Sequence, residues 1–151
     1  GEHDGDDFVG PRELMSRMSG ALSLAGWISS WSEAQCDRVR TYLNGFRSYR
    51  HLLMKDFYPL TPYPRTREDW DVAQFSDPVT GEAVILSYRV AGSEQSRGVK
   101  PRRLDAGRQY RILDPFTGET LGSADGKELM EKGITVTLNT NSAAVRRLIP
   151  T

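Results

Sequence analysis

Apolar side chains recur at Cys36, Val39, Leu43, Phe46, Tyr49 and Leu53, three or four residues apart, while Asp37, Arg38, Arg40, Arg47 and Arg50 fall mostly on other faces. That spacing predicts one long amphipathic helix packed against something large. Ser32 and Gln35 form the Ser-x-x-Gln pattern of a capping box, and Glu33 stands near the positive end of the helix dipole, so the helix starts near Ser32. Upstream, Pro11 opens a shorter helix with Leu14, Met15 and Met18 turned inward and Gly20 as its stop. Residues 21–26, ALSLAG, are a small-residue apolar run of the kind a parallel strand buried on both faces shows, although periodicity alone does not separate such a run from helix. A parallel strand needs strand neighbours and covering helices, and the chain supplies a single helix-strand-helix unit, which reads as incomplete.

After Leu53 the pattern changes. Pro59, Pro62 and Pro64 exclude helix and predict an extended connector over 56–66. Beyond it the period is two. Strands are expected at 70–75, 82–90, 99–104, 109–113, 119–121, 134–138 and 144–149, with turns at 76–81, 105–107 and 114–118 and one small helix at 126–132. In the second strand Val84, Leu86, Tyr88 and Val90 share one face and Ala83 and Ile85 the other, so it is expected to be central and covered on both sides. Short strands at this spacing indicate a small antiparallel β-sandwich from residue 67 to 151, preceded by an α/β piece over 1–55. The class is α+β.

Twenty basic residues balance 20 acidic ones, so no net field argues for nucleic acid or an anionic membrane. The short basic clusters at Lys100, Arg102, Arg103 and at Arg146, Arg147 lack interleaved aromatics and read as solvated strand ends. One cysteine, Cys36, excludes an internal disulfide and a multi-thiolate zinc site, and its place on the helix stripe suits a small buried hydrophobe better than a nucleophile. Asp4, Asp6 and Asp7 beside His3 resemble a metal loop, but Phe8 and Val9 stand where a calcium loop needs an oxygen ligand and glycine, so no metal or cofactor is expected. There is no apolar run of membrane-spanning length and no signal pattern, which makes the cytoplasm the default location.

Several stretches together resemble the end of a glycoside hydrolase family 36 α-galactosidase. They are residues 20–26 with Trp31-Ser32-Glu33, Tyr49-Arg50-His51-Leu52-Leu53, Asp56-Phe57-Tyr58-Pro59-Leu60, and residues 69–75, DWDVAQF. Gly81-Glu82-Ala83-Val84, Tyr88-Arg89, residues 104–111 (LDAGRQYR) and Gly126-Lys127-Glu128-Leu129-Met130 complete the likeness, which runs through nearly the whole chain after Arg12. The resemblance implies that residues 1–55 are the last helix-strand-helix unit of a (β/α)8 barrel, that 56–66 is a connector, and that 67–151 is the C-terminal sandwich. Val39, Leu43 and Phe46 would then face barrel strands outside this chain, and Trp70, Phe57 and Tyr58 would be aromatics between barrel and sandwich.

The resemblance also implies a retaining mechanism, with a nucleophilic Asp and an acid/base Asp roughly 5 to 5.5 Å apart. Neither the Lys-Trp-Asp type nucleophile motif nor the glycine-rich approach to the acid/base residue occurs here, so no catalytic residue is expected in this chain. Asp69 and Asp71 flank Trp70 in the connector or first sandwich strand and read as exposed rather than catalytic. His3 and Asp4, if they follow the seventh barrel strand, are candidates to reach the substrate rim. Trp27, just beyond the last strand, is a candidate to stack on a sugar ring, and equally to wedge beneath a helix start. The implied partners are the rest of the barrel and an α-galactoside or related carbohydrate. The alternative is a free-standing carbohydrate-binding or interaction sandwich.

Overall fold

The computed structural model describes residues 10–23 and 28–151. Six strands, β1 (Asp56–Pro59), β2 (Asp71–Ser76), β3 (Ala83–Arg89), β5 (Gln109–Leu113), β6 (Thr120–Asp125) and β8 (Ser142–Pro150), form one antiparallel sheet ordered β1-β2-β3-β8-β5-β6. A separate pair joins β4 (Ser96–Val99) to β7 (Ile134–Thr137). Three helices, α1 (Pro11–Ser16), α2 (Glu33–Tyr49) and α3 (Gly126–Lys132), complete the chain with two 3-10 turns, Ile28–Ser30 and Arg50–Met54. Among the described residues every strand pairing is antiparallel. The parallel strand expected over residues 21–26 lies partly outside the described residues: 21–23 have no regular structure, and 24–27 are not described.

Strand β3 has the two-faced burial its sequence predicts. Ala83 and Ile85 join Trp70, Val72, Tyr110 and Leu148 in a core covered by Val99 and Val136 of the small pair and Leu129 of α3. Val84 and Leu86 join Val145 in a second core on the opposite face, covered by Leu14 and Met18 and by Val39, Phe46, Tyr49 and Leu52. The result is three layers, helices on a six-stranded sheet on a hairpin with its own helix.

Helix α2 begins where the capping box places it. Ser32 Oγ accepts from the Gln35 backbone N–H at 3.2 Å, and the Gln35 side chain accepts from the Ser32 N–H at 2.8 Å. Its partner differs from expectation. Val39 and Phe46 do not face missing strands; they are buried by this chain's own sheet, because the β3 face carrying Val84 and Leu86 needs an apolar cover and α2 supplies it. Two tyrosines, Tyr49 buried and Tyr88 half-buried, secure α1 beside it: the Tyr49 hydroxyl donates to the Met18 carbonyl at 3.0 Å, and the Tyr88 hydroxyl donates to the Met15 carbonyl at 3.3 Å. Burial raises both phenols, Tyr88 to about 12.

The segment expected as a connector also belongs to the sheet. Residues Asp56–Pro59 pair with β2 as an edge strand, and at an edge the missing N–H of Pro59 leaves no ladder partner unsatisfied. The expected strand over 99–104 stops at Val99, since Pro101 lacks an N–H and Arg103 sits at φ 57. A side chain replaces the ladder there: Gln74, fully buried, donates to the Arg102 carbonyl at 2.7 Å and accepts the Arg102 N–H at 2.8 Å.

A turn is used twice. Residues 77–82, DPVTGE, and 114–119, DPFTGE, close β2–β3 and β5–β6 in the same way. In each the aspartate Oδ1 accepts two backbone N–H groups, from Val79 and Thr80 or from Phe116 and Thr117. In each the glycine turns at positive φ, 80° at Gly81 and 75° at Gly118. The second copy presents Phe116 to the long helix, where its ring lies 4.6 Å from Tyr42 and 6.4 Å from Tyr49 between centroids. Gly45 makes room for it; a Cβ there would come within 2.3 Å of the Phe116 ring and 2.8 Å of the Pro115 carbonyl.

This sets two expectations. Gly45→Ala, which in an open helix gains about 1 kcal/mol, should here lose about 1–3 kcal/mol through overpacking, read as a lower urea midpoint with an unchanged slope. Backbone donors, chiefly from Val79, hold the Asp77 carboxyl below its usual range, and those from Thr66 and Arg65 do the same for Asp69. A depressed folded pKa contributes stability that is complete above the ordinary carboxylate value and is lost as pH falls through the lower folded value. Acid titration of thermal stability should therefore show a shallower acid limb in the Asp69→Asn/Asp77→Asn variant, and an unchanged limb would refute this.

Candidate docking site on the long helix

Three residues of helix fall about 60° short of a full turn. The single stripe read from the sequence therefore splits into two flanks on α2. Phe46 and Tyr49 turn to the sheet, with Val39 at the margin, whereas Cys36 and Leu43 are only half-buried. With Ile28 and Trp31 from the preceding turn, these form a largely apolar groove of about 330 Å³, its rim set by Arg40, Asn44 and Arg47. Ile28 is 51% exposed, an unusual position for a large aliphatic side chain beside three other apolar ones. Cys36 is a free thiol in this groove rather than a fully buried hydrophobe.

The predicted site residues His3, Asp4 and Trp27 all lie outside the described residues. Asp69 is a turn residue: one carboxylate oxygen accepts the backbone N–H groups of Arg65 and Thr66, both at 2.9 Å, and the Thr66 hydroxyl at 3.2 Å. Asp71 is exposed at the start of β2. Of the three aromatics expected between barrel and sandwich, Trp70 is instead core, 1% exposed with its indole N–H donating to the Glu94 carbonyl at 3.1 Å. Phe57 is exposed and leans on Phe75 with centroids 5.2 Å apart, and Tyr58 is half-buried. Among the described residues no three His, Cys, Asp or Glu side chains converge as metal ligands, and no helix is long and apolar enough to cross a membrane. The groove was missed from sequence because Cys36 and Leu43 were counted with the sheet-facing stripe; their separation of seven residues was its signal.

No family model matches the sequence, and comparison with curated proteins by sequence finds no match. Comparison of the fold does. The GH36 α-galactosidase AgaA of Geobacillus stearothermophilus superposes with a TM-score of 0.77 at 20% identity, over 92% of this chain and 19% of that one. The fold resembles that of part of a family 36 α-galactosidase. AgaB of the same organism gives a TM-score of 0.75 at 20% identity, again over 92% and 19% of the two chains. The α-galactosidase of Lactobacillus brevis gives 0.76 at 15% identity over 92% and 20%. This chain thus spans about a fifth of the length of the enzymes it matches. Variants of AgaA have been solved in complex with raffinose and with stachyose.

The two flanks of α2 should respond differently to substitution. Phe46→Ala should cost about 3–5 kcal/mol, as for a buried aromatic. Ile28→Ser should stay within about 0.5 kcal/mol, as on a free surface. Urea unfolding of both variants checks this, and equal losses would contradict the division.

Proposed function

We propose that this chain is the C-terminal region of an α-galactosidase-like retaining glycoside hydrolase, with a structural role and no activity by itself. The observation that carries this is the fold match over 92% of the chain to about a fifth of each enzyme. On this reading the pair of carboxylates that cleaves the glycoside belongs to the remaining four fifths. His3, Asp4 and Trp27 are the residues assigned to the substrate rim. The groove at Ile28, Trp31, Cys36 and Leu43 is the surface assigned to the rest of the catalytic barrel, since an apolar groove half-covered by its own chain gains most from being closed by another.

A second reading, a free-standing carbohydrate-binding or interaction module, draws on the burial of Val39 and Phe46 by this chain's own sheet, which leaves α2 with a core of its own. One set of measurements separates the two. The purified chain should release no aryl group from an aryl α-galactoside and give no saturable heat with raffinose. Substituted for the matching fifth of AgaA, it should restore more turnover than the truncated enzyme shows. Turnover by the chain alone overturns the first reading. Saturable raffinose binding by the chain alone, with no gain in the chimaera, establishes the second in its place.

A further inference from the structure

Among the described residues two buried side-chain atoms lack a hydrogen-bond partner, Ser87 Oγ and Arg89 Nε, and of these only Arg89 is charged. It closes β3, is 3% exposed, and donates to two backbone carbonyls, those of Leu138 at 2.7 Å and Gly92 at 2.5 Å. Its Nε has no hydrogen-bond partner among the described residues. Among the described residues no carboxylate pairs with it. A guanidinium stays protonated at any ordinary pH, so carbonyl partners satisfy its hydrogens but leave its charge uncompensated.

That charge stands at the wall of a cleft of about 400 Å³ between α1, the end of β3 and the start of β8. Arg12, Arg17 and Arg67 line the same cleft, and among the described residues the only acidic side chain lining it is Glu13. Glu13 is committed to its neighbour Arg12, whose Nε donates to it at 2.5 Å. Arg17 and Arg67 have no ion-pair partner among the described residues. On β8 the two part-buried arginines are matched, Arg146 to Asp114 at 3.1 Å and Arg147 to Glu82. Among the described residues, four guanidinium groups against one engaged carboxylate make this cleft cationic in a chain whose overall charge is zero.

We propose that this cleft is a binding site for a small free oxyanion, a phosphate or carboxylate group. Its exposed forks, Arg17 and Arg67, would take the oxygens in charge-assisted pairs, and the buried Arg89 supplies a fixed positive field behind them. The imbalance argues against a metal cation. The site is independent of the glycosidase reading; either can fail alone.

The test is calorimetric titration of the full chain with inorganic phosphate, against sodium chloride at matched ionic strength to remove general screening. Saturable heat is expected with phosphate only. Arg17→Gln/Arg67→Gln should weaken it at least about tenfold, and Arg67→Lys should fall between, keeping charge but losing the fork. Circular dichroism should be unchanged, since both positions are exposed. Arg111→Gln, an exposed arginine on β5 outside the cleft, should leave the titration unaltered. Absence of saturable heat, equal heat in the double variant, or equal weakening by Arg111→Gln overturns the proposal.

Discussion

The fold depends on β3 being apolar on both faces. A half-buried strand needs one covering layer; a strand reading Ala-Val-Ile-Leu needs two, and the chain must find them within its own length. One cover comes from downstream, in β4, which follows β3 directly, and in the distant β7 and α3. The other comes from far upstream, in α1 and α2. Most of each layer is distant from β3 in sequence, so the strand converts two long-range closures into one cooperative body. Its neighbour β8 extends the same logic, since Ala144 and Leu148 serve one core and Val145 the other.

Local signals survived into the structure with little change. The capping box sets the start of α2, Gly133 ends α3, and β5 and α3 keep their expected limits, because each is decided by residues within a few positions of one another. Long-range facts did not. Nothing near Asp56 announces that a proline-rich stretch will add an edge strand, because β pairing is settled by the register of β2 rather than by the segment itself. Nothing in a helical stripe says whether the sheet it covers lies in the same chain. The sequence suggested missing barrel strands; α2 covers β3 and β8, and only its second flank remains half-open.

The same contrast explains why function was harder to read than fold. A TM-score of 0.77 at 20% identity means that few side chains are shared while the layer order is. Layer order follows from apolar period and turn chemistry, which many sequences satisfy. Chemistry follows from particular groups brought together, which few do. Here the three residues suspected of touching substrate were chosen through resemblance rather than geometry, and the described structure neither gathers nor separates them.

Charge shows what composition conceals. Twenty basic and 20 acidic residues suggest a surface without preference, and pairs such as Arg40 with Asp37 or Lys132 with Glu128 are local and exposed, so they contribute little to stability. Balance over the whole chain says nothing about balance within 400 Å³. At Arg89 the sheet has spent a buried position on a cation and answered it with carbonyls, a choice that weakens the fold unless the field is used. Uncompensated charge at a cleft wall is therefore a stronger pointer to ligand chemistry than any count of residues, and it is visible only when the ends of β3, α1 and β8 are seen side by side.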